Sequence, residues 1–426
     1  KLNCGNSADP DFFKFLPKMV GQLNATVTSQ RYSGACFQDS EVSIVFVNNN
    51  TVEIHHKLSK RHGLCGEAFL YTTIKNFHVE AFYLGGTHKV RFSHLSADEM
   101  QMIKEGGLFV FRFCDKVINI LPDFFKTLWL FVGGLGLDPR IPFFGSKPTE
   151  FQIKENIRFI KEAIGYEWKK RPKDVVVDID PSLIKSGDFL AITRCDGLDQ
   201  IIEWGAGSHA GHSVMALWID GELYVVESQA AWYWPRKGIQ KNPFHQWIKW
   251  ARNADFMVTW LPLTEEMRAK FDEKRAIEWF NSIEGTPYGY HNFLFGWIDT
   301  PDKSYPPLLD PNFIAPLFSL VEKISPFSAH EVFTLAVNKR LGTEGLNVDQ
   351  LAEVIYARGL DFPTVLAMPE VDGWLYPDGE SYVCSSFVIA MWKAAGLFDG
   401  YEVSATEFTP RDIYQMTYIN STYEVP

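Results

Sequence analysis

The stretch Gly211-His212-Ser213-Val214-Met215-Ala216-Leu217-Trp218-Ile219-Asp220-Gly221-Glu222-Leu223-Tyr224-Val225-Val226-Glu227-Ser228 decides the reading of the fold. Two strand-length apolar runs, 213–219 and 222–228, flank an Asp-Gly pair, and that pair between such runs signals a tight β-hairpin. The hairpin sets His212, at the start of its first strand, opposite Glu227, at the end of its second. A carboxylate facing an imidazole fixes the ring's tautomer and stabilises its charged form.

A third chemical part lies far downstream. Ser381-Tyr382-Val383-Cys384-Ser385-Ser386-Phe387-Val388 opens a helix expected over 382–396 and closed by Gly396. A thiol in the first helical turn meets unpaired N–H groups and the positive end of the macrodipole, which favour the thiolate and supply oxyanion donors. Taken singly, each residue has a plainer reading: a packed cysteine, a satisfied histidine, a solvated glutamate. Together they make the set a thiol hydrolase requires, with Cys384 as nucleophile, His212 as base and Glu227 as orienting group. His209 is the rival base, but its offset from Glu227 places it outside the paired strand, as an access or substrate residue.

Outward from this core the chain divides in two. Residues 1–148 read as an antiparallel β-rich domain of unknown role: a hairpin from 41–47 and 51–57 around Asn48 to Asn50, further strands at 68–74, 77–84, 88–93 and 107–113, and a Gly- and Pro-rich exit over 133–148. Residues 149–426 form the second domain, entered by an amphipathic helix over 149–170 with Ile153, Ile157, Ile160 and Ile164 at helical spacing. Strands follow at 188–194, 213–219, 222–228 and 256–261, then a helix over 264–283. The segment 300–380, helical near 312–324, 328–341 and 347–358, reads as an insertion serving as a lid or a structural subdomain. The fold class is α+β.

The 426 residues are 46% hydrophobic, which excludes a disordered chain, and a net charge of −11 argues against nucleic acid as partner. The one basic run, Lys169 to Lys173, reads as a solvated helix end. Four of six cysteines lie in the first 114 residues, where one or two disulfides are expected without a readable pairing. A start at Lys1 suggests a removed signal peptide, and sugar-acceptor triplets at Asn24, Asn49 and Asn420 agree with a secreted or lysosomal glycoprotein. No apolar run is long enough to span a bilayer. The cluster Phe124, Phe125, Leu128, Trp129 and Phe131 packs between domains or touches a membrane surface peripherally. With no HExxH or paired CxxC spacing, neither metal nor cofactor is expected.

GDFLAITR (187–194), the 211–228 stretch, Gly238, Trp247, GTPYGY (285–290), YVCSSFV (382–388), AAGL (394–397) and TPRDI (409–413) together resemble the permuted branch of the NlpC-type papain-like cysteine hydrolases, especially the bacterial YiiX-like enzymes. There the histidine and acidic strands precede the cysteine helix, as here. The resemblance covers roughly 180–300 and 380–415. It implies a permuted papain-like catalytic domain with Cys384, His212 and Glu227 as triad and Tyr288 near the substrate. It also implies chemistry at amide, ester or thioester carbonyls of an acyl, peptide or lipid substrate, and lecithin:retinol acyltransferase looks like a distant cousin. Trp232, with Tyr233 and Trp234 and the basic Arg236 and Lys237, reads as an acyl-chain contact or a packed loop. The competing functions are an acyltransferase of the same fold and a catalytically silent lipid- or glycan-binding glycoprotein.

Overall fold

The computed structural model describes residues 16–34, 36–60, 65–114, 117–125, 148–163, 168, 179–230, 238–298, 310–377 and 379–420. They form a mixed α and β protein whose sheets are antiparallel. They fall into two compact units, one from within Lys1–Thr127 and Pro307–Met368, the other from within Leu128–Pro306 and Pro369–Pro426.

The first unit carries β1 (Pro17–Leu23), β2 (Ser29–Tyr32), β3 (Ser40–Asn48), β4 (Thr51–Leu58), β5 (Glu67–Thr72), β6 (Phe77–Phe82), β7 (Gly86–Ser93), α1 (Ala97–Glu105) and β8 (Leu108–Phe113). The strands form two sheets, ordered β1-β8-β5-β6 and β2-β3-β4-β7. Alternate residues of each sheet meet in one core: Val42, Ile44, Val52, Ile54 and Val90 from one, Leu23, Phe69, Tyr71 and Val110 from the other. This is the period-2 pattern of facing sheets. The hairpin read at 41–57 is present as β3 and β4, with Ile44 opposite Ile54. The strands β1 and β2 and the helix α1 were not read from the sequence. A disulfide joins Cys36 to Cys65, 29 residues apart, and closing such a loop stabilises by about 3–4 kcal/mol in the chain-entropy account.

In β5 and β8 the outward face is apolar too, through Leu70, Phe109 and Phe111. Phe313, on the helix Pro311–Ile324, covers it with its ring centroid 5.4 Å from that of Phe111. A strand buried on both sides reads as a continuous apolar run, as Leu-Phe-Val-Phe does here. Lys323 donates to the Lys75 carbonyl at 2.8 Å, Lys75 pairs with Asp349, and Tyr356 fills the space beside Gly106, where a Cβ would stand 2.1 Å from Cζ. The sequence reading put 300–380 in the second domain as an insertion. These contacts instead group the helices within 307–368 with the first unit, because its sheet presents the apolar face that needs covering.

Among the described residues the first element of the second unit is α2 (Glu150–Ala163), whose start is boxed by Thr149 and Gln152. Its sheet is built from β9 (Phe189–Thr193), β10 (His212–Ile219), β11 (Glu222–Gln229), β12 (Gly238–Pro243) and β13 (Met257–Leu261) in the order β12-β11-β10-β9-β13. The helix α3 (Leu198–Ala206) connects β9 to β10, and α4 (Phe244–Asn253) follows β12. The helix expected over 264–283 is two, α5 (Glu265–Lys270) and α6 (Glu273–Ile283). Asp272 breaks the run by turning its carboxylate onto the Arg275 N–H and capping α6. Met215, Leu217 and Val226 point to one face of the sheet and pack on α6 and on α7 (Cys384–Ala394). Val214, Ala216 and Val225 point to the other and pack on Trp247 and Ala251 of α4. The helix α7 is buried on every face from Cys384 through Trp392, with Ser385 and Ser386 its only polar residues in that span. A short helix, α8 (Pro410–Gln415), lies near the C-terminal end of the described chain.

Candidate functional site

His212, Glu227 and Cys384 lie in the same unit, on three elements. In the hairpin register Met215 faces Val226, so one further step sets Glu227 across from Val214. His212 and Glu227 are therefore diagonal neighbours on one face, which still permits contact. The expectation of a directly opposed pair is corrected by two residues. The contact is made: His212 Nε2 lies 2.9 Å from Glu227 Oε2.

The other carboxylate oxygen, Oε1, accepts from Trp247 Nε1 at 3.1 Å and Asn242 Nδ2 at 3.5 Å. With Glu227 only 1% exposed, such full use of its lone pairs makes a buried carboxylate tolerable. Two neutral donors and one imidazole hold it in place. Strand β12 carries Asn242 beside it, and α4 presents Trp247.

Cys384 is the first residue of α7, which starts without a side-chain cap. Its approach is pinned: the Tyr382 carbonyl accepts from Ser228 Oγ at 2.6 Å and from the Gly289 N–H at 3.2 Å. Tyr288 and Tyr382 form a parallel bridge. Gly238 has φ +98°, and a Cβ there would stand 2.0 Å from the Thr286 carbonyl oxygen. Close backbone approach explains Gly238 and also Gly289, where a Cβ would stand 3.0 Å from the Tyr382 carbonyl carbon, whereas Gly285 has open space around it and serves a φ of +93°.

The thiol of Cys384, 6% exposed, meets the His212 ring and the backbone N–H groups of Ser213 and Ser385. Burial pushes its acidity down, but the His212 contact and those N–H groups outweigh burial, and its pKa falls below the usual thiol range. Burial likewise opposes the charged form of His212. Contact with Cys384 and Glu227 overturns that, raising the imidazole to about 10. With Nε2 held by Glu227, Nδ1 is the nitrogen left for sulfur. Each group thus favours the charged form of the other.

Tyr288, 8% exposed, places its phenol oxygen at the Cys384 N–H and thiol, and burial together with the thiolate pushes its pKa well up, so it stays neutral. Sequence reasoning missed Asp199. It is buried on α3, accepts the Arg194 N–H at 2.8 Å and packs against Gly211, where a Cβ would lie 2.5 Å from its Cγ. Burial and then Asp196 raise its pKa, while His212 draws it back. An aspartate in a first helical turn reads as a cap, so the sequence carried no other signal. Asn242 was equally silent, since the run Gly238-Ile239-Gln240-Lys241-Asn242-Pro243 lacks apolar alternation.

His209 is exposed on the bend before β10, its ring 5.6 Å from that of Tyr414. The imidazole that meets Glu227 is that of His212. Trp232, Tyr233, Trp234, Arg236 and Lys237 lie outside the described residues, as do Lys169 to Lys173 and Leu128, Trp129 and Phe131. Phe124 and Phe125 are exposed. Asn24 sits in the turn after β1, its Oδ1 accepting from Thr26 Oγ1 and from the N–H groups of Thr26 and Val27. Asn49 is exposed at the β3–β4 tip, and Asn420 follows the Ile419–Leu263 bridge. Cys195 and Cys384 are buried thiols. Among the described residues, no helix is long and apolar enough to cross a membrane.

No family model, no curated protein and no solved structure matches the chain.

Proposed function

We propose that the chain is a cysteine hydrolase with a permuted papain-like catalytic unit, cleaving an amide, ester or thioester through an acyl-enzyme on Cys384. The observation that carries the reading is the meeting of a helix-tip thiol, an imidazole and a buried carboxylate from three separate elements, with the carboxylate fixed by Trp247 and Asn242.

In the reaction, Cys384 sulfur, its proton already on His212 Nδ1, adds to the substrate carbonyl carbon. The oxyanion forms beside the Cys384 N–H, which exchanges the Tyr288 oxygen for it, and the Tyr288 hydroxyl, which donates to it. The imidazolium then gives its proton to the leaving nitrogen, oxygen or sulfur as that bond breaks, leaving a thioester. Water adds to the thioester carbonyl, His212 takes its proton, and the carbon–sulfur bond breaks to release the acid. Glu227 holds the ring and balances its charge throughout. A hydroxyl or amine in place of water makes the same site an acyltransferase.

The test is labelling and turnover together. Iodoacetamide is expected to modify Cys384 well ahead of the Cys195 thiol, and His212→Ala to remove that preference. A panel of acyl-lipid, acyl-amino acid and peptide substrates, with and without an added amine or alcohol, identifies the scissile bond and the acceptor. Equal modification of both thiols, unchanged by His212→Ala, would sink the enzyme and leave the silent binding protein.

A further inference from the structure

One buried side chain ties the end of the β9–β10 pair that carries His212. In the register His212 faces Ile192, the Ile192 carbonyl accepts the Gly211 N–H at 3.1 Å, and the chain leaves β9 through Thr193 and Arg194. Asp199, the second residue of α3 and 5% exposed, accepts the Arg194 N–H at 2.8 Å on the β9 side and packs on Gly211 on the β10 side. A Cβ on Gly211 would stand 2.5 Å from Asp199 Cγ. With a carbon–carbon bond of about 1.5 Å and about 3.8 Å between successive Cα atoms, that carboxyl carbon lies within about 8 Å of the His212 Cα. Glycine at 211 permits the approach.

A carboxyl group so placed acts twice. Its hydrogen bond and its packing fix the strand start from which the ring projects. Its charge acts on the imidazole: the imidazolium favours the ionised carboxyl, and by reciprocity the ionised carboxyl favours the imidazolium. The other charged groups that face Asp199 are Asp196 and Arg194, which pair at 3.5 Å, and Glu203 is buried one turn further along α3. Of the elements that pack on α3, the helix Phe295–Ile298 has no titratable group. On α2, Glu155 and Arg158 pair with each other at 3.1 Å, and the remaining charged residues are exposed.

We propose that Asp199 is a positioning residue of the site, a second carboxylate that holds the start of β10 and supports the charge of His212 in the acyl-enzyme. Its place in the reaction rests on the hydrolase reading; its coupling to His212 does not. While Cys384 is a thiolate, sulfur and Glu227 both stand against the ring. Once sulfur is bonded to the acyl carbon it carries no charge, yet His212 must then take a proton from the water whose oxygen adds to that carbon. The carbon–sulfur bond breaks afterwards, and its electron pair returns to sulfur. In the proton-transfer step only carboxylates offset the imidazolium, and Asp199 joins Glu227 in doing so.

The coupling is tested in Cys384→Ala, which lacks the sulfur charge as the acyl-enzyme does. The His212 ring is expected to titrate at least about 0.5 pH unit lower in Cys384→Ala/Asp199→Asn than in Cys384→Ala. Asparagine keeps an acceptor for the Arg194 N–H, so only the charge is lost, and equal titrations overturn the proposal. The wild type answers without any change at Asp199: its carboxyl carbon shift is expected to step at the pH where the His212 ring titrates. A flat shift there overturns the coupling as well. For the reaction, p-nitrophenyl acetate gives a burst that reports acyl-enzyme formation and a steady phase that reports its hydrolysis. Asp199→Asn is expected to slow the steady phase about 3- to 10-fold more than the burst. Equal losses in both phases overturn the role in the acyl-enzyme. A wild type that releases no p-nitrophenolate through Cys384 sinks the hydrolase reading, and the titrations still decide whether Asp199 supports His212.

Discussion

His56 in the first unit and His212 in the second are both strand residues with both ring nitrogens engaged, yet their surroundings drive them to opposite charge states. His56, fully buried on β4, lies between two phenols, Tyr32 at 2.5 Å from Nε2 and Tyr71 at 2.5 Å from Nδ1. Burial pushes its pKa down to about 3. A neutral imidazole donates at one nitrogen and accepts at the other, so one phenol accepts and the other donates. His212 meets a thiol and a carboxylate instead, and these reverse the effect of burial. An enclosed histidine is therefore no sign of chemistry by itself. Partners able to carry negative charge make the difference.

The sharpest way to break the comparison is to remove the sulfur. Cys384→Ala is expected to lower hydrolysis at least about 10³-fold while leaving the fold intact, since a methyl group replaces a thiol at a helix start. It also removes one of the anions holding His212 charged, and a ring titration by NMR is expected to move toward lower pH. An unchanged His212 titration would assign its charge wholly to the carboxylates. Next in size is Glu227→Gln, which keeps the shape but removes the charge. Turnover is expected to fall about 10²- to 10³-fold. The pH at which Cys384 becomes reactive toward iodoacetamide is expected to rise, because the imidazolium that stabilises the thiolate is itself weakened. A variant with wild-type turnover would make the carboxylate a packing residue.

The pair also predicts a split between two pH profiles of the wild type. Alkylation needs only thiolate, so its rate is expected to hold a plateau to below the ordinary thiol range and not to decline above pH 10. Hydrolysis needs the imidazolium as proton donor to the leaving group, so it is expected to decline as pH rises through about 10, where His212 loses its proton. Parallel profiles would exclude the ion pair.

These contrasts also mark what the sequence could carry. The His212–Glu227 hairpin was legible because Asp220-Gly221 fixes a turn between two apolar runs, and Cys384 because a helix pattern starts at it. The diagonal offset was legible but overlooked: a two-residue turn at Asp220-Gly221 pairs Ile219 with Glu222, and counting back from there sets Glu227 across from Val214, two residues from His212. Asn242 and Asp199 were hidden because polar residues that orient or flank a site show no periodicity. In the first unit β3 to β8 were read as alternating or continuous apolar runs, whereas β1 and β2, which also line the core, were not. Its helical cover over 307–368 was misassigned because a helix's apolar stripe shows that it packs, not on what. The His56 cluster was invisible too, for Tyr32 lies on a four-residue strand with little apolar pattern.

The smallest expected effect concerns that cluster. In the unfolded chain His56 takes up a proton below about pH 6.5, whereas the folded site resists it until about pH 3. The unfolded state thus binds more protons between those values. Stability contributed by the neutral ring is full above the unfolded pKa and is lost as pH falls, by at most about 1.4 kcal/mol per pH unit. His291 in the second unit, 4% exposed, stacked on Tyr376 and also lowered to about 3 by burial, adds a like slope there. In His56→Leu two buried phenols lose their partner, so stability at pH 7 is expected to drop by about 2–5 kcal/mol. The acid sensitivity of the first unit is expected to shrink. Denaturant midpoints for wild type and variant between pH 4 and 7 give both quantities. A variant curve parallel to the wild type would show that His56 takes up its proton equally in both states, and that the two phenols do not hold the ring neutral.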